Sequence, residues 1–236
     1  MARLRTAQRT GWALRRRAAA FALLAALALT PGARAQTPGG AGTGLQSAAR
    51  TALSPGDRRD VARVQAYLNG ITTVVSNFVQ VAPNGGIAKG RLYVSRPGKM
   101  RVEYDPPVKI LMVATGIFFI FWDGEIKETT YLPQRSTPLS LLLKKRIDLT
   151  KDAKITAVER RAGALRLTLV PGDGDPGTGG ALTLTFRNNP LALRQWTLRD
   201  PQGQVTRLAL LNPRFGVPIP ARKFKYIAPA GSESNR

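Results

Sequence analysis

Neither cysteine nor histidine occurs anywhere in the 236 residues. The missing thiol excludes a disulfide framework, a cysteine nucleophile, and a lipid-modified N-terminus, which needs a cysteine at the processing point. The missing imidazole removes the commonest general base and the commonest metal ligand, so triads, zinc sites and Cys–His pairs are excluded. Carboxylate or serine–lysine chemistry is left without a supporting pattern. Acidic residues are also scarce, 14 against 36 Lys and Arg, for a net charge of +22. A long, almost wholly apolar run near the N-terminus, Ala18–Thr30, is too short to span a bilayer as a mature helix.

That run follows basic residues from Arg3 to Arg17 and precedes Ala33-Arg34-Ala35, a small-x-small cleavage pattern. Residues 1–35 are therefore expected to be a cleaved signal peptide. Arg15-Arg16-Arg17 leaves the general and the twin-arginine export routes both open. Without the leader's seven arginines the charge is about +15, 29 basic against 14 acidic residues. Such a balance suits anionic partners. An export signal, and cations scattered along strands instead of beside exposed aromatics, argue against nucleic acid. Lipid headgroups and acidic proteins both remain open as partners.

Residues 36–53, rich in Gly, Ala and Thr, are expected to be a disordered lead-in to one domain spanning 54–228. Ser54-Pro55-Gly56-Asp57 is a helix start: a cap, a first-turn proline and an acid three on from the cap. Val61, Val64, Leu68 and Ile71 then form one apolar stripe, with Asn69-Gly70 fraying or ending the helix. Period-two patterning predicts strands near 72–81, 87–95, 99–104, 108–114, 117–122 and 125–132. Further strands are predicted near 153–160, 164–170, 181–187, 191–200, 204–215 and 222–227. Between the two sets, Thr137-Pro138 starts a short leucine-rich helix ending in Lys144-Lys145-Arg146, where cations suit the helix dipole. Residues 171–180 read as a hairpin tip. Its acidic spacing lacks the distal ligand of a calcium loop, so no metal and no cofactor are expected. The tail 229–236 is expected to be disordered. The predicted class is mainly β (α+β): a curved antiparallel sheet or unclosed β-barrel, with the helices against it.

Residues 110–122 break the alternation of a half-exposed strand. Ile110, Met112 and Ala114 point one way, Leu111 and Val113 the other, and all are apolar. Both faces must be covered. Either the sheet interior and a helix do so, or one face lines a cavity for a hydrophobic ligand beneath the short helix and the N-terminal helix. In the second case Leu92, Met100, Val102, Met112, Phe119 and Phe121 line it from the sheet, and Leu139, Leu142 and Leu143 from the cover.

The order of several motifs resembles the LolA family of periplasmic carriers of outer-membrane lipoproteins. These are Phe78-x-Gln80, Gly90-x-Leu92, Arg96-Pro97-Gly98-Lys99-x-Arg101-x-Glu103-Tyr104, Pro106-Pro107, Gly116, Thr137-Pro138-Leu139-x-Leu141-Leu142, and Asp200-x-x-Gly203 ahead of Phe224. The resemblance covers about residues 58 to 228. It implies an unclosed barrel whose apolar concave side is closed by a helical lid, with lipoprotein acyl chains held between. It implies further that Arg96 bonds lid carbonyls and holds the lid shut, and that Met100 lies near the cavity mouth. The implied partners are acylated lipoprotein cargo, an inner-membrane release complex and an outer-membrane acceptor, met in the periplasm by a monomer that is not an enzyme. Val102 stands where the family often has an aromatic, Thr115 where it often has an acidic or amide residue, and the C-terminal extension is brief. Arg101 and Glu103 read as a cross-strand ion pair on the face opposite Met100 and Val102. A carrier or sensor of another lipid or glycolipid is an alternative. So is an envelope hydrolase using Asp123 and Glu125, although their place in a tight turn favours a structural role.

Overall fold

The computed structural model describes residues 53–172, 180–228 and 233–234. The expected signal peptide, the lead-in up to residue 52, and most of the acidic hairpin tip lie outside the described residues. Helix α1, Pro55–Asn69, begins as its sequence dictates. The Ser54 hydroxyl accepts from the Asp57 amide at 3.1 Å while the Asp57 carboxylate accepts from the Ser54 amide at 3.2 Å, and Val61, Val64 and Leu68 are buried. Leu53, assigned to the lead-in by composition, instead packs partly buried against the core, since a leucine beside an apolar helix face gains from leaving water.

Six strands follow: β1 Thr73–Val81, β2 Ile87–Ser95, β3 Lys99–Tyr104, β4 Ile110–Thr115, β5 Phe118–Asp123 and β6 Glu128–Pro133. After the lid segment come α2 Leu149–Asp152, β7 Ala153–Arg161, β8 Ala164–Pro171, β9 Ala181–Arg187, β10 Ala192–Arg199 and β11 Val205–Phe215. These eleven strands form one antiparallel sheet in the order β6-β5-β4-β3-β2-β1-β11-β10-β9-β8-β7, whose ends do not pair with each other among the described residues. Most chain neighbours pair through short turns, and among these eleven strands the pairing most distant in sequence is β1 against β11. A two-residue strand, β12 at Glu233–Ser234, pairs in parallel with Glu128 and Thr129, so these residues depart from the disordered tail expected for 229–236. The unpaired edge of β6 offers the backbone groups that recruit them.

Register carries one row of inward side chains across the sheet: Val74, Val94, Met100, Ala114, Phe119 and Leu132 stand opposite one another in successive strands. Four of the motif residues meet in a packing cluster. The Phe78 and Tyr104 rings are edge to face with centroids 5.2 Å apart, and the Tyr104 hydroxyl donates to Gln80 Oε1 at 2.7 Å. Burial pushes the Tyr104 phenol up to about 12, which keeps it a donor. Gly90 has no alternative there, because a Cβ would lie 2.0 Å from the Glu103 carbonyl and 2.8 Å from the Phe78 ring.

The apolar hairpin β4–β5 is covered twice. Its concave side carries Met112, Ala114 and Phe119; its convex side carries Val113 and Ile120, also buried. The convex cover is the C-terminal strap after β11, whose short 3₁₀ helix Ala221–Phe224 lies across β3 and β4 and buries Phe224. The strand expected at 222–227 does not form: the chain leaves the sheet after Phe215, and this segment turns into the 3₁₀ helix that lies on the face of β3 and β4 instead of pairing with a strand. Glu103 pairs with Arg101 of its own strand at 2.6 Å, not across strands, and with Lys223 of the strap at 3.2 Å. Burial pushes the Glu103 carboxyl up, but bonds from Arg101 and Lys223 outweigh it and leave the group below its ordinary value. Lys223 also sits 4.6 Å from the Tyr93 ring centroid, and the Tyr226 and Thr129 hydroxyls bond at 2.8 Å.

Candidate functional site

The concave side is closed by the segment between β6 and β7. It is not the helix expected over 137–146. Two 3₁₀ turns, Gln134–Ser136 and Pro138–Leu143, are followed by an extended stretch leading into α2. Six residues cannot sustain an α-helical nucleus, so the tighter i→i+3 pattern takes over. Thr137 does not cap; its hydroxyl donates to the Gln134 carbonyl at 3.2 Å. Lys144, Lys145 and Arg146 lie beyond the turn instead of at its dipole. Helix α2 was not anticipated, although Asp148 ahead of Leu149-Thr150 is a readable cap: its carboxylate accepts from the amides of Thr150 at 3.2 Å and Lys151 at 3.3 Å. Leu139, Leu141, Leu143, Ile147 and Leu149 are buried, and the second turn lies against β8 and β9.

Three polar side chains of α1 and the β2–β3 hairpin tie this lid to its surroundings. Arg96, at the end of the β2–β3 hairpin, donates from Nε to the Lys144 carbonyl at 2.7 Å and from Nη2 to the Lys145 carbonyl at 3.3 Å. Its Nη1 donates to the Leu68 carbonyl and, at 2.9 Å, to the Ile71 carbonyl, both at the end of α1. Burial lowers the Arg96 pKa, and among the described residues no carboxylate pairs with it. Asn69 forms a two-bond pair with the backbone of Ile147, donating to its carbonyl at 2.8 Å and accepting from its amide at 2.9 Å. One helical turn earlier, Gln65 accepts from the Leu149 amide at 2.8 Å. Gln65 and Asn69 share a helix face by their spacing of four. The β2–β3 turn itself is part of the junction, since the Gly98 amide donates to the Leu143 carbonyl at 2.8 Å.

Beneath the lid is an apolar cavity of about 40 Å³, walled by the sheet, the end of α1 and the lid, with Arg96 at its edge. Of the residues expected to line it, Leu92, Met100, Leu142 and Leu143 stand on its wall. Val102, Met112, Phe119 and Leu139 lie in the surrounding core but not on the wall, and Phe121 packs partly buried against that core. The closed lid explains the difference: its leucines fill the concavity that those side chains would otherwise border. Leu193, Trp196, Leu210 and Phe215 of β10 and β11 complete the wall and were not singled out from the sequence. Their signal was an interrupted strand alternation, since Leu193 and Trp196 stand three apart with Arg194 and Gln195 between them, which marks a core face without marking a ligand.

A water needs on the order of 10–15 Å³ of such space, so the closed cavity of about 40 Å³ has room for about three waters and none for a sixteen-carbon chain. Access therefore requires the lid to move. Nothing else in the described residues suggests chemistry: no cluster of Asp and Glu could hold a metal, and Asp123 accepts from the amides of Glu125 at 2.7 Å and Ile126 at 3.4 Å, a turn-building role.

Known proteins are similar to this chain over most of its length. The family described as Outer membrane lipoprotein carrier protein LolA matches residues 69–227. An outer-membrane lipoprotein carrier protein of Chromobacterium violaceum is 29% identical over 75% of this chain and 88% of its own length. The protein of that name from Pseudomonas fluorescens is 30% identical over 79% of this chain and 92% of its own length. That of Pseudomonas syringae pv. syringae is 30% identical over 75% and 88%. With more than half its length matched by the family, and relatives aligned across most of both chains, this chain belongs to the LolA family.

Proposed function

We propose that the protein is a periplasmic, non-enzymatic carrier that takes acyl chains of lipoproteins between its concave sheet and its lid. It would receive them from an inner-membrane release complex and pass them to an outer-membrane acceptor, working as a monomer once residues 1–35 are removed. The need is physical. At about 0.8 kcal/mol per methylene, a sixteen-carbon chain costs on the order of 12 kcal/mol to expose to water, so unassisted crossing is negligible. A carrier must shield the chain and still release it.

The observation that carries this reading is the junction of Arg96 with the Lys144 and Lys145 carbonyls above an otherwise apolar wall. A cation bonded to neutral carbonyls holds the lid by groups that water can replace, so closure is firm without being permanent. Mass spectrometry of what co-purifies with the protein from the periplasm tests it. Acylated lipoproteins are expected. A different lipid alone would overturn the cargo assignment, and a lid that never opens to any acyl chain would overturn the carrier itself.

A further inference from the structure

The end of the barrel that carries the Arg96 junction also carries exposed apolar groups. Ile117 and Phe118, at the apex of the β4–β5 hairpin, are 71% and 40% exposed, and Tyr131 of β6 is 40% exposed with its ring edge to face on Phe118, centroids 6.3 Å apart. Short links place this apex beside the lid. The Gln134 amide donates to the Ile117 carbonyl at 2.8 Å, the Gly116 amide donates to Gln134 Oε1 at 3.0 Å, and a Cβ on Gly98 would lie 2.8 Å from the Gly116 Cα. Gly98 in turn bonds Leu143 of the lid.

The charge around this apex has one sign. Lys99, Arg135, Lys145 and Arg146 are all exposed there, while residues 106–122 and 129–147 contain no carboxylate at all. The first acids after the lid in the chain are occupied: Asp152 pairs with Lys144 at 2.6 Å, and Asp148 caps α2 and faces Lys151 at 3.9 Å. Three apolar side chains fall far short of the roughly 1,000 Å² that a stable protein interface buries. An aliphatic and two aromatic groups ringed by cations do match what enters a headgroup layer, where rings sit at the interface and Lys and Arg meet lipid phosphates.

We propose that this end is a docking surface for an anionic phospholipid membrane, with Ile117 and Phe118 entering the headgroup layer and Lys99, Arg135, Lys145 and Arg146 on the phosphates. Docking this way turns the lid edge toward the bilayer, and it holds whatever the cargo is. The test is flotation of the protein recovered from the periplasm with vesicles of phosphatidylcholine, alone or with phosphatidylglycerol. Binding is expected only with phosphatidylglycerol, weakened by salt. Lys99→Gln, Arg135→Gln and Lys145→Gln together should weaken it roughly 100-fold, since each basic group near such a surface contributes about fivefold. Their side chains make none of the lid bonds, so thermal melts should match the parent. Arg166→Gln, Arg194→Gln and Arg207→Gln, exposed on the other half of the sheet, should weaken it little. A Phe118→Trp variant should be quenched by brominated acyl chains more than the parent, whose indoles include Trp122 and Trp196. Failure to float with phosphatidylglycerol, equal loss from the two triple variants, or no added quenching in the Phe118→Trp variant would overturn the proposal. Binding of polyglutamate but not of vesicles would assign the surface to an acidic protein and overturn it as well.

Discussion

Strands β2 and β3 carry a cover on each face, and each cover is clasped by an arginine. On the concave side Arg96 holds the lid through neutral acceptors only: four backbone carbonyls and, at 3.5 Å, Asn69 Oδ1. On the convex side Arg101 holds the C-terminal strap through the Lys223 and Lys225 carbonyls at 3.3 and 3.4 Å, and Glu103 balances both Arg101 and Lys223. Desolvating a cation is costly, and dipoles compensate it less completely than a carboxylate does. Opening the lid gives Arg96 back its hydration, whereas opening the strap breaks an ion cluster and bares Val113 and Ile120. Two similar clasps are therefore expected to differ in how easily they release, the one over the cavity being the weaker.

The sharpest way to break this comparison is Arg96→Leu. Hydrogen bonds from a charged donor contribute about 1.5–3 kcal/mol each, so even a net loss of about 3 kcal/mol should speed exchange of the Gly98 and Ile147 amides by roughly 100-fold. Arg96→Lys should restore only part of the protection, because an ammonium cannot fork between α1 and the lid. Unchanged exchange would mean that the leucines alone keep the lid closed. A smaller effect is expected from Asn69→Ala, which removes two neutral bonds to Ile147, or about 1–2 kcal/mol, and should raise exchange there roughly tenfold.

The smallest effect belongs to the strap and depends on pH. The Glu103 carboxyl is held below its ordinary value, so its contribution is fully present above the unfolded carboxylate pKa and is lost as pH falls through the folded one. NMR signals of Phe224 and Tyr226 should report loosening only in acid, and Glu103→Gln should remove that step. Among the described residues the Arg96 clasp has no titrating acceptor, so a matching acid step that vanished with Arg96→Leu would mean that the two clasps do not differ in this way.

Much of the fold could be read from local pattern. The first five strands begin and end within two residues of their predicted limits, because Pro83-Asn84-Gly85-Gly86, Arg96-Pro97-Gly98 and similar turns punctuate period-two runs. Helix α1 was legible from its cap and stripe. The strap was not: Arg222–Ile227 has strand-like alternation, and only the convex face of β3 and β4, assembled from far upstream, gives Phe224 a place to be buried. Nor did the sequence reveal Asn69 and Gln65 as lid ties. Near a helix end an asparagine reads as a terminator, and its true partner is 78 residues away.

What the sequence by itself determined is the alternation, the turns, the capped helix and the excess of apolar residues over one exposed sheet face, all of them set by backbone sterics and the cost of wetting carbon. Only the tertiary structure decided which cover lies on which face, and that Arg96 ends on carbonyls while Arg101 ends beside Glu103. Those outcomes depend on distances between segments remote in the chain, where burial and electrostatic compensation are settled together and no local pattern records them.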